Sequence, residues 1–160
     1  MSLRSVVKAA IEARKAGKTP DQVFQEFSGQ VTNQNALAVA IASVPDPTLK
    51  KKWAPLNYVL FALLVFAAIT KAISALAIFQ QYGIAAMLAI VLLGVFVPAA
   101  FAIAVITFDG RSYPILVMLC VVNALNVALK TELGSARWLD VGLLGVIAVL
   151  AYAIKRLMFP

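Results

Sequence analysis

Two rhythms of apolar and polar residues divide this chain. Through residues 1–46 the apolar positions recur every three to four residues, the spacing of amphipathic helices. Beyond residue 55 they run together in long blocks. A first helix is expected in SLRSVVKAAIEARKAG. Leu3, Val6, Val7, Ala10 and Ile11 share one face, and Arg4, Lys8, Glu12 and Lys15 lie largely on the other. Gly17 fits its C-terminal stop. In TPDQVFQEFSG, Thr19 and Gln22 have the spacing of a capping box and Pro20 suits the first helical position. Val23, Phe24 and Phe27 form that helix's apolar face, and Gly29 ends it. A third helix, NQNALAVAIASV, puts Leu37, Ala40, Ile41 and Val44 on one side. The three stripes can bury one another. A unit of about 50 residues is short of core, however, so this small bundle is expected to lean on the rest of the chain or on a partner.

Residues 47–55 read as a basic junction. Asp46 can cap a short helix starting at Pro47, and Pro55 can open the next one. Lys50, Lys51 and Lys52 beside Trp53 have the composition of a membrane-interface anchor, with cations at headgroups and indole at the boundary. Four apolar blocks follow, at about 56–79, 84–107, 113–129 and 138–154. A membrane span needs about 20 residues, within a range of roughly 17–25. The first two blocks meet this comfortably, and the last two lie at its short end. The separators 80–83, 109–112 and 130–137 are short, so successive helices should run antiparallel. The expected fold class is all-α: a polytopic membrane protein with a four-transmembrane-helix bundle over 56–160, preceded by a cytosolic three-helix segment over 1–46. A second layout makes 56–70 a short span and lays 72–79 along the surface. It leaves only about 22 Å of helix to cross with, and ranks behind.

Composition sharpens this picture. Of 160 residues, 62% are hydrophobic, and the mean hydropathy is +0.92; a soluble domain is closer to half apolar. Charges throughout the first seventeen residues argue against a secretory signal peptide. The net charge of +7 is read as topology rather than nucleic-acid binding, because basic residues gather on the cytoplasmic side of membrane proteins. With the N-terminus inside, Lys50–Lys52, Arg111, Lys155 and Arg156 flank the inner span ends, against Lys130 and Arg137 outside. Both termini are therefore expected in the cytoplasm.

The first span then carries a charge, Lys71, in its outer half. At that depth a charge costs a few kcal/mol unless it reaches the interface or a partner. By chain direction alone, Asn123 and Asn126 of the third span and Asp140 in the first turn of the fourth share the depth of Lys71. We expect an intramembrane polar cluster of these four residues, with Lys71 pointing inward and pairing with Asp140, directly or through the asparagines, and Lys130 extending the asparagine stripe. The alternative is that Lys71 snorkels to headgroups and Asp140 faces water. Gly94 and Pro98 point to a bend or close contact in the second span. Gly142 and Gly145 point to close helix packing in the fourth.

Enzyme chemistry is thin. One cysteine, Cys120, and no histidine exclude a zinc site of the usual ligands, and neither a nucleophile elbow nor a phosphate-cradling loop occurs. FDGRSY resembles part of the Asp-Gly-x-x-Ala-Arg core of membrane phosphatidyltransferases. The next span lacks the metal-binding carboxylates such chemistry needs, so 109–112 reads as a turn. No catalytic residue, metal or cofactor is assigned. The general layout resembles that of membrane immunity proteins that protect bacteria from pore-forming toxins; the likeness covers layout and carries no residue across. The expected function is non-enzymatic binding of a protein partner within the lipid bilayer, immunity being its concrete form. An oligomeric ion channel or small transporter built from a homo-oligomer is the alternative.

Overall fold

The computed structural model describes residues 3–129 and 135–159, and no strand occurs among them. Helices α1 (Leu3–Lys15), α2 (Pro20–Ser28) and α3 (Gln34–Ala42) form the N-terminal bundle. α1 stops where Gly17 takes φ +97°, a conformation that L side chains rarely adopt. The capping box closes both ways: the Thr19 hydroxyl accepts from the Gln22 N–H, and the Gln22 side-chain Oε1 accepts from the Thr19 N–H. Asn33 caps α3 through the Ala36 N–H. Ala10, Val23, Leu37 and Ile41 make the core, flanked by Val7, Phe24, Phe27 and Val31. Arg14 is also buried, at 2% exposure. It stands four residues after Ala10 on the same face, and its Nη1 donates to the Lys18 carbonyl at 2.6 Å.

α4 (Pro47–Tyr82) is one helix of 36 residues. Asp46 caps it, its carboxylate accepting from the N–H groups of Thr48 and Leu49. The expected break at the junction does not occur. Residues 47–55 form the first turns of α4, and Pro55 lies inside the helix. Its missing N–H frees only the carbonyl of Lys51, which sits at an exposed position where water can take its place. The layout with a break near Lys71 fails for the same reason: α4 continues through it.

The chain reverses at Gly83 (φ +81°) into α5 (Ile84–Ile90), a π turn (Val91–Phe96) and α6 (Val97–Ile106). Pro98 has no N–H to bond the Gly94 carbonyl, and the widened turn lies immediately before it. α7 (Ser112–Ala128) and α8 (Ser135–Met158) complete the fold. Among the described residues two helices, Pro47–Ala77 and Trp138–Met158, are long and apolar enough to cross a membrane; Val91–Ile106 and Ser112–Ala128 are shorter apolar helices. By length, then, the described residues are all-helical with two candidate spans rather than four, Val91–Ile106 and α7 being shorter apolar helices.

The helices pack in the order α6, α4, α8, α7. α4 touches both α6 and α8, α7 lies along α8, and α6 meets α7 only sparsely. The core runs through Leu60, Leu64, Val105, Tyr113, Leu116, Ile147, Ala151 and Ile154. Large apolar side chains also cover the outside, among them Phe66, Ile73, Leu76, Leu92, Ile103, Met118 and Val149.

The N-terminal bundle is fastened to the end of the helical stack where α4 starts and α8 stops. The Asp46 N–H donates to the Met158 carbonyl at 3.1 Å, and the Gly110 N–H donates to the Ser43 carbonyl at 3.2 Å. A Cβ on Gly110 would stand 2.6 Å from the Phe159 ring and 2.8 Å from the Ser43 carbonyl, so only glycine fits this clamp. The chain of residues 3–159 therefore begins and ends at the same end of the stack.

Candidate functional site: a charged crevice between four helices

Because α6 and α7 do not close on each other, the four packed segments leave a crevice of about 650 Å³ between them. Leu64, Phe101, Leu116, Leu144 and Ile147 wall one end; Thr70, Lys71, Asn123 and Asp140 line the other. Lys71 Nζ donates to Asp140 Oδ2 at 3.1 Å, bridging α4 and α8. Both side chains are a little over two-fifths exposed, so the pair is accessible from the crevice mouth. The hydroxyls of Thr70 and Ser74 donate back to the carbonyls of Ala67 and Thr70. Their donors are thus spent within α4, and only acceptor lone pairs remain for a visitor.

The structure brings together three of the four residues expected to cluster: Lys71, Asn123 and Asp140. Asn126 is exposed and does not line the crevice, whereas Val127 does; from Asn123 the two lie about 60° and 40° round α7 in opposite senses. Lys130 lies outside the described residues. Gly94 and Pro98 line the crevice, one in the π turn and one just after it.

Gly142 and Gly145 depart from expectation. Both are exposed, and a Cβ added to either would meet nothing within 4 Å. The seam of α8 instead follows Leu143, Leu144, Ile147, Ala151 and Ile154, because large side chains bury more area than glycines can. Among the described residues, then, the two glycines make no close helix contact.

At the opposite end, Lys50, Lys51 and Lys52 are exposed and Trp53 is half-buried against the core. Four cations lie over rings: Lys50 over Phe108 at 4.2 Å, Lys52 over Trp53 at 5.2 Å, Lys155 over Phe159 at 4.6 Å and Arg156 over Tyr152 at 5.6 Å. This basic, aromatic collar has the chemistry of a headgroup-facing surface. Outside the apolar segments, the Thr48 hydroxyl holds the Asp46 carboxyl below the usual carboxylate range. Burial opposes this, while the Leu49 and Thr48 N–H groups and the Arg14 charge reinforce it.

Sequence reasoning missed a buried polar bridge near the collar. Asn57 is fully buried; its Nδ2 donates to the Val105 carbonyl and its Oδ1 accepts from the Tyr113 hydroxyl, both at 2.7 Å. One side chain so ties α4 to α6 and α7. The available signal was spacing: Asn57 precedes the buried Leu60 and Leu64 by three and seven residues, on the core stripe.

Chemically the arrangement offers binding groups. Asp109 is taken up by its own turn, its carboxylate accepting from the Arg111 N–H and its carbonyl from the Ser112 hydroxyl. Among the described residues no three His, Cys, Asp or Glu side chains stand close enough to share a metal ion. No protein-family model matches the chain, and neither a curated protein nor a solved structure matches it.

Proposed function

We propose that this chain is a four-span protein of the bacterial inner membrane, with both ends in the cytoplasm, that acts by binding a partner protein in the bilayer rather than by catalysis. Neutralising a membrane-active toxin is the concrete form of this reading. Several observations support the membrane setting. The stack is apolar outside as well as inside, far beyond the patches a soluble monomer tolerates. The helical path over 84–106 is about 34 Å long and α7 about 26 Å, against about 30 Å of hydrocarbon. Both lie alongside the two longer helices and so share their depth. The basic collar falls at the end that carries the N-terminal bundle, as the positive-inside bias requires of a cytoplasmic face.

The observation that carries the binding reading is the outward placement of Gly142 and Gly145, one turn apart with open space above each. In hydrocarbon, helices associate by close backbone approach over small residues. α8 presents such a face, and among the described residues nothing covers it. A photo-crosslinking residue at Val146, exposed beside the glycines, tests this in native membranes. One discrete adduct is expected there and none from Met118, exposed on α7. Gly145→Ile should abolish the adduct without lowering the Tm of the purified protein. Equal labelling from both positions overturns the reading. An adduct of twice the chain mass indicates self-association and favours the oligomeric channel instead.

A further inference from the structure

We propose that the crevice between α4, α6, α7 and α8 is a binding site for one phospholipid with a zwitterionic aminophosphate head, its acyl chain lying between the helices and its head on the Lys71–Asp140 pair. The inference rests on the reading that these helices lie in a bilayer, and not on any protein partner.

Size decides what can enter. The lining of α4 extends from Leu64 to Ser74, ten residues or about 15 Å of helix. A volume of about 650 Å³ spread over that length has a mean cross-section of roughly 43 Å². The crevice is wide enough for a hydrocarbon chain. It falls within the roughly 300–1,000 Å³ of small-ligand sites.

Polarity decides which way the occupant lies. The deep end is walled by Leu64, Phe101, Leu116, Leu144 and Ile147, and a pocket so lined stays dry. Left empty it would forfeit dispersion contacts with its walls. The sparse contact between α6 and α7 opens the crevice sideways, toward hydrocarbon, so an acyl chain can enter without leaving the bilayer. Depth fits as well. Asp140 is eighteen residues from Met158 along α8, about 27 Å. The collar end stands at one membrane boundary, so the ion pair stands close to the other, where headgroups begin.

Charge decides the head. Lys71 and Asp140 are mutually neutralised, 3.1 Å apart and each still accessible. A net anionic head would bring an unbalanced charge against Asp140. An ammonium-and-phosphate head can place its ammonium on Asp140 and its phosphate on Lys71, with Asn123 donating to a phosphate or ester oxygen. Charge-assisted bonds of this type are the strong ones.

The test is native mass spectrometry of the full chain, released from vesicles holding equal amounts of phosphatidylethanolamine and phosphatidylglycerol. One retained phosphatidylethanolamine per chain is expected, at a preference of roughly tenfold or more, the worth of one charge-assisted hydrogen bond. Cys120→Phe plugs the crevice from α7 and should remove the retained lipid. Leu119→Trp, at a more exposed lining position, serves if that variant does not fold. The paired substitution Lys71→Met with Asp140→Leu should keep one lipid per chain and reduce the preference to about one. Retention of no lipid, retention untouched by either plug, a preference for the anionic lipid, or a peptide in place of the lipid overturns the proposal. Failure of the chain to sediment with membranes would sink the bilayer reading instead, and is scored separately.

Discussion

Removing the Tyr113 hydroxyl isolates the bond that joins α7 to Asn57 of α4. The hydroxyl is buried and donates to Asn57 Oδ1 at 2.7 Å. Tyr113→Phe keeps the ring, which rests against Phe159 at 5.5 Å, and leaves Asn57 Oδ1 unsatisfied in the core. An orphaned buried acceptor costs about 1–3 kcal/mol. At about 2–4 °C per kcal/mol for a chain of this size, the Tm in detergent should fall by roughly 2–12 °C. Asn57→Leu is near in shape and orphans the Tyr113 hydroxyl instead. The Val105 carbonyl loses its Asn57 bond as well but keeps the Phe108 N–H at 3.0 Å. The single cost should again be about 1–3 kcal/mol. The double variant orphans neither the asparagine nor the tyrosine group, so its loss should fall short of the sum of the singles by at least about 1 kcal/mol. Reversible unfolding in mixed micelles supplies the three values. Additivity within about 0.5 kcal/mol would refute the bond, and with it the claim that Asn57 ties α4 to α7.

Three other outcomes follow from the same geometry. Gly110→Ala drives a methyl against Phe159 and the Ser43 carbonyl; it should release the N-terminal bundle, read as faster proteolysis between residues 29 and 46 while the helical stack keeps its Tm. The Asp46 carboxyl has a folded pKa below its unfolded value, so its capping contribution is present above about pH 4 and is lost as pH falls through the folded value. Asp46→Asn should therefore lower stability at pH 7 and match the wild-type chain at the most acid end of a pH series, and a constant difference across the series would count against the cap. In nanodiscs, Lys71→Met should cost about 1–2 kcal/mol, between an exposed and a buried ion pair, and adding Asp140→Leu should restore much of it; an unchanged Tm for Lys71→Met alone would show that the pair carries no stability.

Much of this fold is legible in the residues because local rules act over short distances. Thr19, Pro20 and Gln22 predict the start of α2, and Gly17 the end of α1, since a cap involves groups a few residues apart. The depth shared by Lys71 and Asp140 follows from chain direction and block length alone, and the structure places the two 3.1 Å apart. The faces of the helices are less legible. Gly142 and Gly145 suggest a packed seam by composition, yet α8 buries its larger neighbours and turns the glycines outward. Pro55 suggests a boundary, yet the helix passes through it because its freed carbonyl sits at an exposed position.

From its order of apolar blocks, charges and turn residues, the chain by itself determines an all-helical, strongly apolar protein with a small capped bundle at its start. Those features depend on backbone hydrogen bonds and on solvent preference, each a property of a short segment. Only the tertiary structure decides that α6 and α7 stay apart, that Asn57 spans three helices, and that Gly110 admits the N-terminal bundle. These depend on how side chains far apart in sequence divide one shared volume, and no single segment carries that information.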